Sequence, residues 1–188
     1  MSTKLRIGRA PLGLALLTLV ALGGVASAQF FKGRDKALAP ELKGVSHWIN
    51  SDPLTIKGLR GKVVIVHFWT FGCYICVNNY PHYKAWRERY ANNKDVVILG
   101  IHTPETSGER DIKRIKAEAL KNGLKFPIAV DNDAENWQAW HNRVWPAVYV
   151  VDRKGVARYG WEGELNDNGQ KGEETVRQTI DALLLERP

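Results

Sequence analysis

The sequence predicts an α/β fold: a three-layer α/β/α sandwich around a central mixed sheet. Three observations carry this expectation. Apolar, β-branched runs alternate with helix-length stretches along most of the chain, the pattern of parallel strands joined by crossover helices. Near the end, "AVYVVDRKGVARYGW" (147–161) places two such runs around an Asp-Arg-Lys-Gly turn, an antiparallel hairpin that makes the sheet mixed. Cys73 and Cys76, the two cysteines of the chain, stand where the first strong strand passes into a helix.

Taken in order, "KVVIVHFW" (62–69) is β-branched throughout and is expected as a buried strand. The stretch from Cys73 to Asn93 is expected as a helix, with Ile75, Asn79, His82, Tyr83, Trp86 and Tyr90 near a 3.6-residue period. "DVVILGIH" (95–102) is the next strand, and a helix follows over 106–122, stopped by Gly123. "FPIAV" (126–130) is a short strand and "AENWQAWHNRV" (134–144) a short helix. The hairpin comes next, then a last helix over 173–185. Residues 29–61, punctuated by Pro40, Gly44, Pro53, Gly58 and Gly61, form an N-terminal extension packing on the core; 62–188 are the main domain.

Residues 1–28 have a different character. Lys4, Arg6 and Arg9 precede an uncharged stretch, Ala10 to Val25, and Ala26-Ser27-Ala28 closes it. A basic start, an apolar middle and an A-x-A site describe a secretory signal peptide. The stretch is shorter than the roughly 20 residues a spanning helix prefers, so cleavage, with no stable membrane span, is favoured over an uncleaved anchor. Cleavage takes the 27 basic residues to 24 against 20 acidic, a net of +4. That balance, with no long Lys/Arg run, gives no reason to expect a nucleic-acid partner. The expected location is periplasmic or otherwise extracytoplasmic.

A cysteine at a helix start faces free N–H groups and the positive end of the macrodipole, which favour a thiolate. Cys73 is therefore the candidate nucleophile, and Cys76, one turn deeper, the group that resolves a mixed disulfide. A purely structural staple closing so short a loop would constrain little. A copper or zinc site is an alternative and needs a further ligand from His67, His82, His102 or His141, because no second Cys pair exists. A thiol peroxidase is another: Thr70 stands three residues before Cys73, although Val66 occupies the place of that signature's proline.

"FWTFGCYICVNNYP", with Pro81 five residues after Cys76, resembles the thioredoxin superfamily, most closely its exported TlpA/ResA- and DipZ-like thiol-disulfide oxidoreductases, the redoxins. "PLTIKGLRGKVVIVHFW", "GIHTPE" and "WQAWHNRVWPAVYVVDRKGVARYGWEGE" extend the likeness over roughly 42–164. The resemblance implies a thioredoxin-like fold and exchange of disulfides with protein thiols, in the reducing direction. It implies no cofactor beyond the redox-active disulfide Cys73–Cys76, and admits a membrane electron donor. It also implies a cis peptide at Trp145–Pro146, with Trp69, Trp145 and Pro146 holding the partner chain.

Two departures stand out. His67 occupies the place of the buried thioredoxin Asp, and Asn79 that of the ResA-type Glu. His67 is a candidate to tune deprotonation of Cys76, since imidazole titrates near neutrality; the alternative is a neutral, hydrogen-bonded core histidine. Glu105 either stabilises the start of the second helix or lines the site, and His102 shares that ambiguity.

Overall fold

The computed structural model describes residues 37–186. The expected signal peptide, and residues 29–36 of the extension, lie outside them. Seven strands form one sheet: β1 (Ala37–Leu38), β2 (His47–Ile49), β3 (Val63–Trp69), β4 (Val96–His102), β5 (Ile128–Val130), β6 (Ala147–Val151) and β7 (Val156–Glu162). Their order across the sheet is β1-β7-β6-β3-β4-β5-β2. β3 runs parallel to β4 and antiparallel to β6; β4 and β5 are parallel, and β1, β2 and β7 pair antiparallel with their neighbours. The sheet is therefore mixed, and β3 is at its centre with every residue buried. That burial is why its sequence is nearly continuous hydrophobic rather than alternating.

Alternation along β3 splits the core into two layers. Val63, Ile65 and Trp69 face a cluster supplied by Cys76, Tyr80, Tyr83 and Trp86 of helix α1 (Tyr74–Arg89). Ile115 and Ala119 of α2 (Ile112–Lys121) and Val176, Ile180 and Leu183 of α4 (Gly172–Leu185) complete it. Val64, Val66 and Phe68 face the other way, towards Trp140, at the end of α3 (Glu135–Ala139), and towards Ile56 and Leu59 of the N-terminal segment. Helices thus cover both faces, the expected three layers. Residues 37–61 supply the two outermost strands, one at each edge.

Three helices are shorter than the sequence suggested; α1 ends at Arg89 rather than Asn93. The stretch expected as a helix over 106–122 breaks into a 3-10 turn, Ser107–Glu109, and α2. Asp111 caps α2, accepting hydrogen bonds from the backbone of Lys113 and Arg114, so the helix restarts there. The helix expected over 134–144 is only α3, because His141 takes a left-handed conformation (φ 54°) that no helix continues through. In the hairpin, Asp152 Oδ1 accepts N–H groups from Lys154 and Val156, and Gly155 supplies the positive φ.

Candidate active site

The C-terminal end of β3 delivers the chain to Thr70-Phe71-Gly72 and then to Cys73, the N-cap of α1. Cys73 and Cys76 are joined as a disulfide with Cα atoms 5.2 Å apart. Cys73 Sγ accepts the backbone N–H of Cys76 at 3.2 Å, as an N-cap side chain does. α1 carries no acidic residue in its first turn, so its partial positive end faces Cys73 uncancelled from within the helix. The two sulfurs differ in access: Cys73 is 9% exposed and Cys76 fully buried. Close to Cys73, Tyr74 and Val77 are exposed apolar side chains.

Pro146 lies alongside. Ala147 pairs with Phe68 across β6 and β3, which places Pro146 beside the end of β3. The Trp145–Pro146 peptide is cis, as the resemblance implies. Pro146 C=O accepts the N–H of Gly163, whereas the backbone of Trp145 makes no hydrogen bond among the described residues. The indole of Trp145 is fixed: Nε1 donates to Thr103 C=O at 3.1 Å, and the ring stacks on Trp137 with centroids 3.8 Å apart. Trp69, expected to hold a partner, is wholly buried against Tyr80 and His102 and presents no surface.

His67 is fully buried between Tyr83 and Phe126. Neither ring nitrogen has a hydrogen-bond partner among the described residues, and burial pushes its pKa down to about 3. The ring is therefore neutral where thiols exchange, and so weak a base is poorly matched to an ordinary thiol. It is a core histidine, but not the hydrogen-bonded one expected.

His102 and the acid beside it are arranged otherwise than expected. Glu105 is exposed and gives only its backbone N–H, to Glu109 Oε2 at 2.7 Å. Glu109 itself is buried. Its Oε2 also accepts the Thr70 hydroxyl at 2.8 Å and the Thr106 N–H at 3.3 Å. Thr70 Oγ1 lies 3.2 Å from His102 Nε2, so with its own proton on Glu109 it accepts the His102 N–H. Burial pushes the His102 pKa down to about 4, against the opposing pull of Glu109. Among the described residues, no three of His, Cys, Asp and Glu gather as a metal-ligand set.

The family model for AhpC/TSA matches residues 35–160. The chain belongs to the AhpC/TSA family. Within it, the chain is similar to protein DipZ of Mycobacterium tuberculosis (strain CDC 1551 / Oshkosh), with 35% identity over 150 residues. These cover 78% of this chain but 20% of DipZ, so the chain spans about a fifth of that relative's length. It is 31% identical to the thiol-disulfide oxidoreductase YkuV of Bacillus subtilis (strain 168), covering 64% of this chain and 80% of YkuV. The crystal structure of a thiol-disulfide isomerase from Corynebacterium glutamicum superposes with a TM-score of 0.66 at 27% identity, covering 79% of this chain and 98% of that one. The expected family and thioredoxin-like fold therefore hold.

Two residues of this AhpC/TSA member were not singled out correctly from sequence. Glu109 is visible only as the last position of a Thr106-x-x-Glu109 capping box, which speaks of a helix start rather than of a site. Asn79 stands where a relative's acid would, yet it is a clamp. Its Oδ1 accepts the Leu165 N–H at 2.9 Å, and its Nδ2 donates to Gly163 C=O at 3.2 Å and Tyr83 OH at 3.3 Å. It ties α1 to the loop after β7.

Proposed function

We propose that the chain is a thiol-disulfide oxidoreductase that reduces disulfides of partner proteins outside the cytoplasm. The observation that carries this reading is the asymmetry of the pair: Cys73 caps α1 and keeps a little exposure, 9%, whereas Cys76, one turn on, has none. In the reduced protein, the Cys73 thiolate attacks a partner disulfide, forming a mixed disulfide and releasing one partner thiol. Cys76 then attacks the Cys73 sulfur, closing Cys73–Cys76 and releasing the second. Two electrons pass to the partner, and a membrane-bound donor returns them. The unpaired backbone of Trp145 offers an extended partner segment a place to add as a strand.

Export rests on the leader pattern ending at Ala26-Ser27-Ala28. Among the described residues no helix is long and apolar enough to cross a membrane. The neutral His67 serves as packing for α1 rather than as a proton carrier.

Trapping tests the reading. In Cys76→Ser the mixed disulfide on Cys73 cannot be resolved, so covalent adducts with exported proteins should accumulate and fall apart on reduction. Their absence, with the variant folded and its Cys73 reactive towards alkylating reagents, would rule out exchange with protein partners.

A further inference from the structure

We propose that Glu109 acts through Cys73, disfavouring its thiolate and thereby making the disulfide harder to reduce. Its capping role uses one oxygen only: Oε2 takes all three of its hydrogen bonds. No donor reaches Oε1 among the described residues. That oxygen lies against Gly72, in the space a Cβ on Gly72 would fill, and Gly72 immediately precedes Cys73. A side chain there would collide with the carboxylate, so the glycine is what lets the acid close on the cysteine loop.

Three donors on Oε2 suit an ionised carboxylate. A negative charge buried against the residue before Cys73 disfavours its thiolate. The other groups facing this corner do not cancel it. His102, across Thr70, is neutral near pH 7. Arg114 lies over the Phe71 ring at 5.0 Å, but it is exposed and screened by water. Glu105 is exposed and of the same sign as Glu109. The α1 terminus pulls the other way, towards thiolate, so Glu109 counters it.

The consequence is thermodynamic. In the equilibrium of the protein dithiol with oxidised glutathione, two electrons leave Cys73 and Cys76, their disulfide forms, and two glutathione thiols appear. Where the reduced protein carries Cys73 as thiolate, whatever destabilises that thiolate destabilises the reduced protein and drives this reaction forward. A strong oxidant arises from the opposite arrangement, a stabilised reduced form.

This inference rests on the exchange reading, and the test separates the two. In the reduced protein, the Cys73 titration is followed by thiolate absorbance, and the redox equilibrium is measured against glutathione. Glu109→Gln keeps the length and the capping acceptor; its Cys73 pKa should fall by about one pH unit. At a pH above both Cys73 values, the glutathione equilibrium should then shift about tenfold towards the dithiol, ~30 mV for the two-electron couple. Gly72→Ala, which displaces only the flexible end of Glu109, should move both readouts the same way. Glu88→Gln, an exposed charge at the far end of α1, should move neither. A folded Glu109→Gln or Gly72→Ala protein with an unchanged titration and potential would overturn the role of Glu109. Failure of the native pair to equilibrate with glutathione at all would instead overturn the exchange reading.

Discussion

His67 stacks on Tyr83 with ring centroids 4.0 Å apart, and neither of its ring nitrogens has a hydrogen-bond partner among the described residues. An imidazole so placed contributes as an aromatic slab between the central strand and α1. Its cost appears only when it must carry a proton.

That cost makes stability pH-dependent. The ordinary histidine value is 6.5, and burial lowers His67 to about 3 and His102 to about 4. Between these values the unfolded chain binds protons that the native one refuses. Stability is therefore fully present above pH 6.5 and is lost as pH falls towards 4, by about 1.4 kcal/mol per pH unit for each histidine. Urea midpoints at pH 7, 5 and 4 should show the decline, and His67→Phe should flatten it while leaving the share of His102. The pH profile of insulin reduction above pH 6 should be the same in His67→Phe as in the native protein. A profile displaced by the substitution would restore His67 as the group that tunes Cys76.

Gly100 is paired with His67 across β3 and β4 and leaves room for its ring. A Cβ at Gly100 would stand 3.1 Å from His67 Nε2, Trp69 Nε1 and Phe126 Cε2 at once. All three belong to buried rings that have little freedom to retreat. Gly100→Ala should cost about 1–3 kcal/mol as an overpacked core does. The penalty should shrink in a His67→Ala background, because residues in contact do not act additively. Denaturant unfolding of the four proteins of that cycle measures the coupling; strict additivity would mean that the ring does not limit the space.

Asn79 closes three hydrogen bonds in a buried position, and among the described residues the Leu165 N–H meets only its side chain. Asn79→Ala leaves that N–H unpaired and should cost about 1–3 kcal/mol. Protease cleavage should rise in the loop after β7 before the rest of the chain opens. Thermal unfolding within a degree of the native protein would show that water replaces the clamp without loss.

The parts of this fold with strong local signals were legible in the sequence, and the parts decided by a few hydrogen bonds were not. β3, β4 and the hairpin are runs whose apolar character leaves no competing reading, and the Cys73–Cys76 spacing at a strand end carries its own chemistry. The break between Arg110 and Ile112 depends on Asp111 acting as a cap, one of many aspartates that could have. The end of α3 depends on the backbone of a single residue, His141. At the site, Glu105 and Glu109 are both acids at a helix start. Only the fold shows which of them turns inward against Gly72. His67 and Asn79 stand where the resemblance led to the expectation of acids, which drew attention to proton transfer. Their surroundings, aromatic rings for one and backbone amides for the other, are set by tertiary packing that no local pattern encodes.

Trp145, half-buried beside Pro146, stacks on Trp137. Trp137 is held in turn by Asp131, whose Oδ2 accepts the Trp137 N–H at 2.9 Å and the Thr103 hydroxyl at 2.9 Å. Asp131 thus joins the end of β4 to the start of α3, and the stack passes that rigidity to the residue before Pro146. Trp137→Ala removes the stack, worth about 0.5–1.5 kcal/mol, and leaves the Trp145 ring held by its hydrogen bond to Thr103 alone. A partner that lies along Trp145 should then bind up to about tenfold more weakly. A small disulfide such as oxidised glutathione, which needs only Cys73, should react at the native rate. Steady-state kinetics with insulin and with glutathione separate the two: KM for insulin should rise while the glutathione rate holds. Equal losses on both would mean that the stack supports the cysteine loop rather than the partner surface.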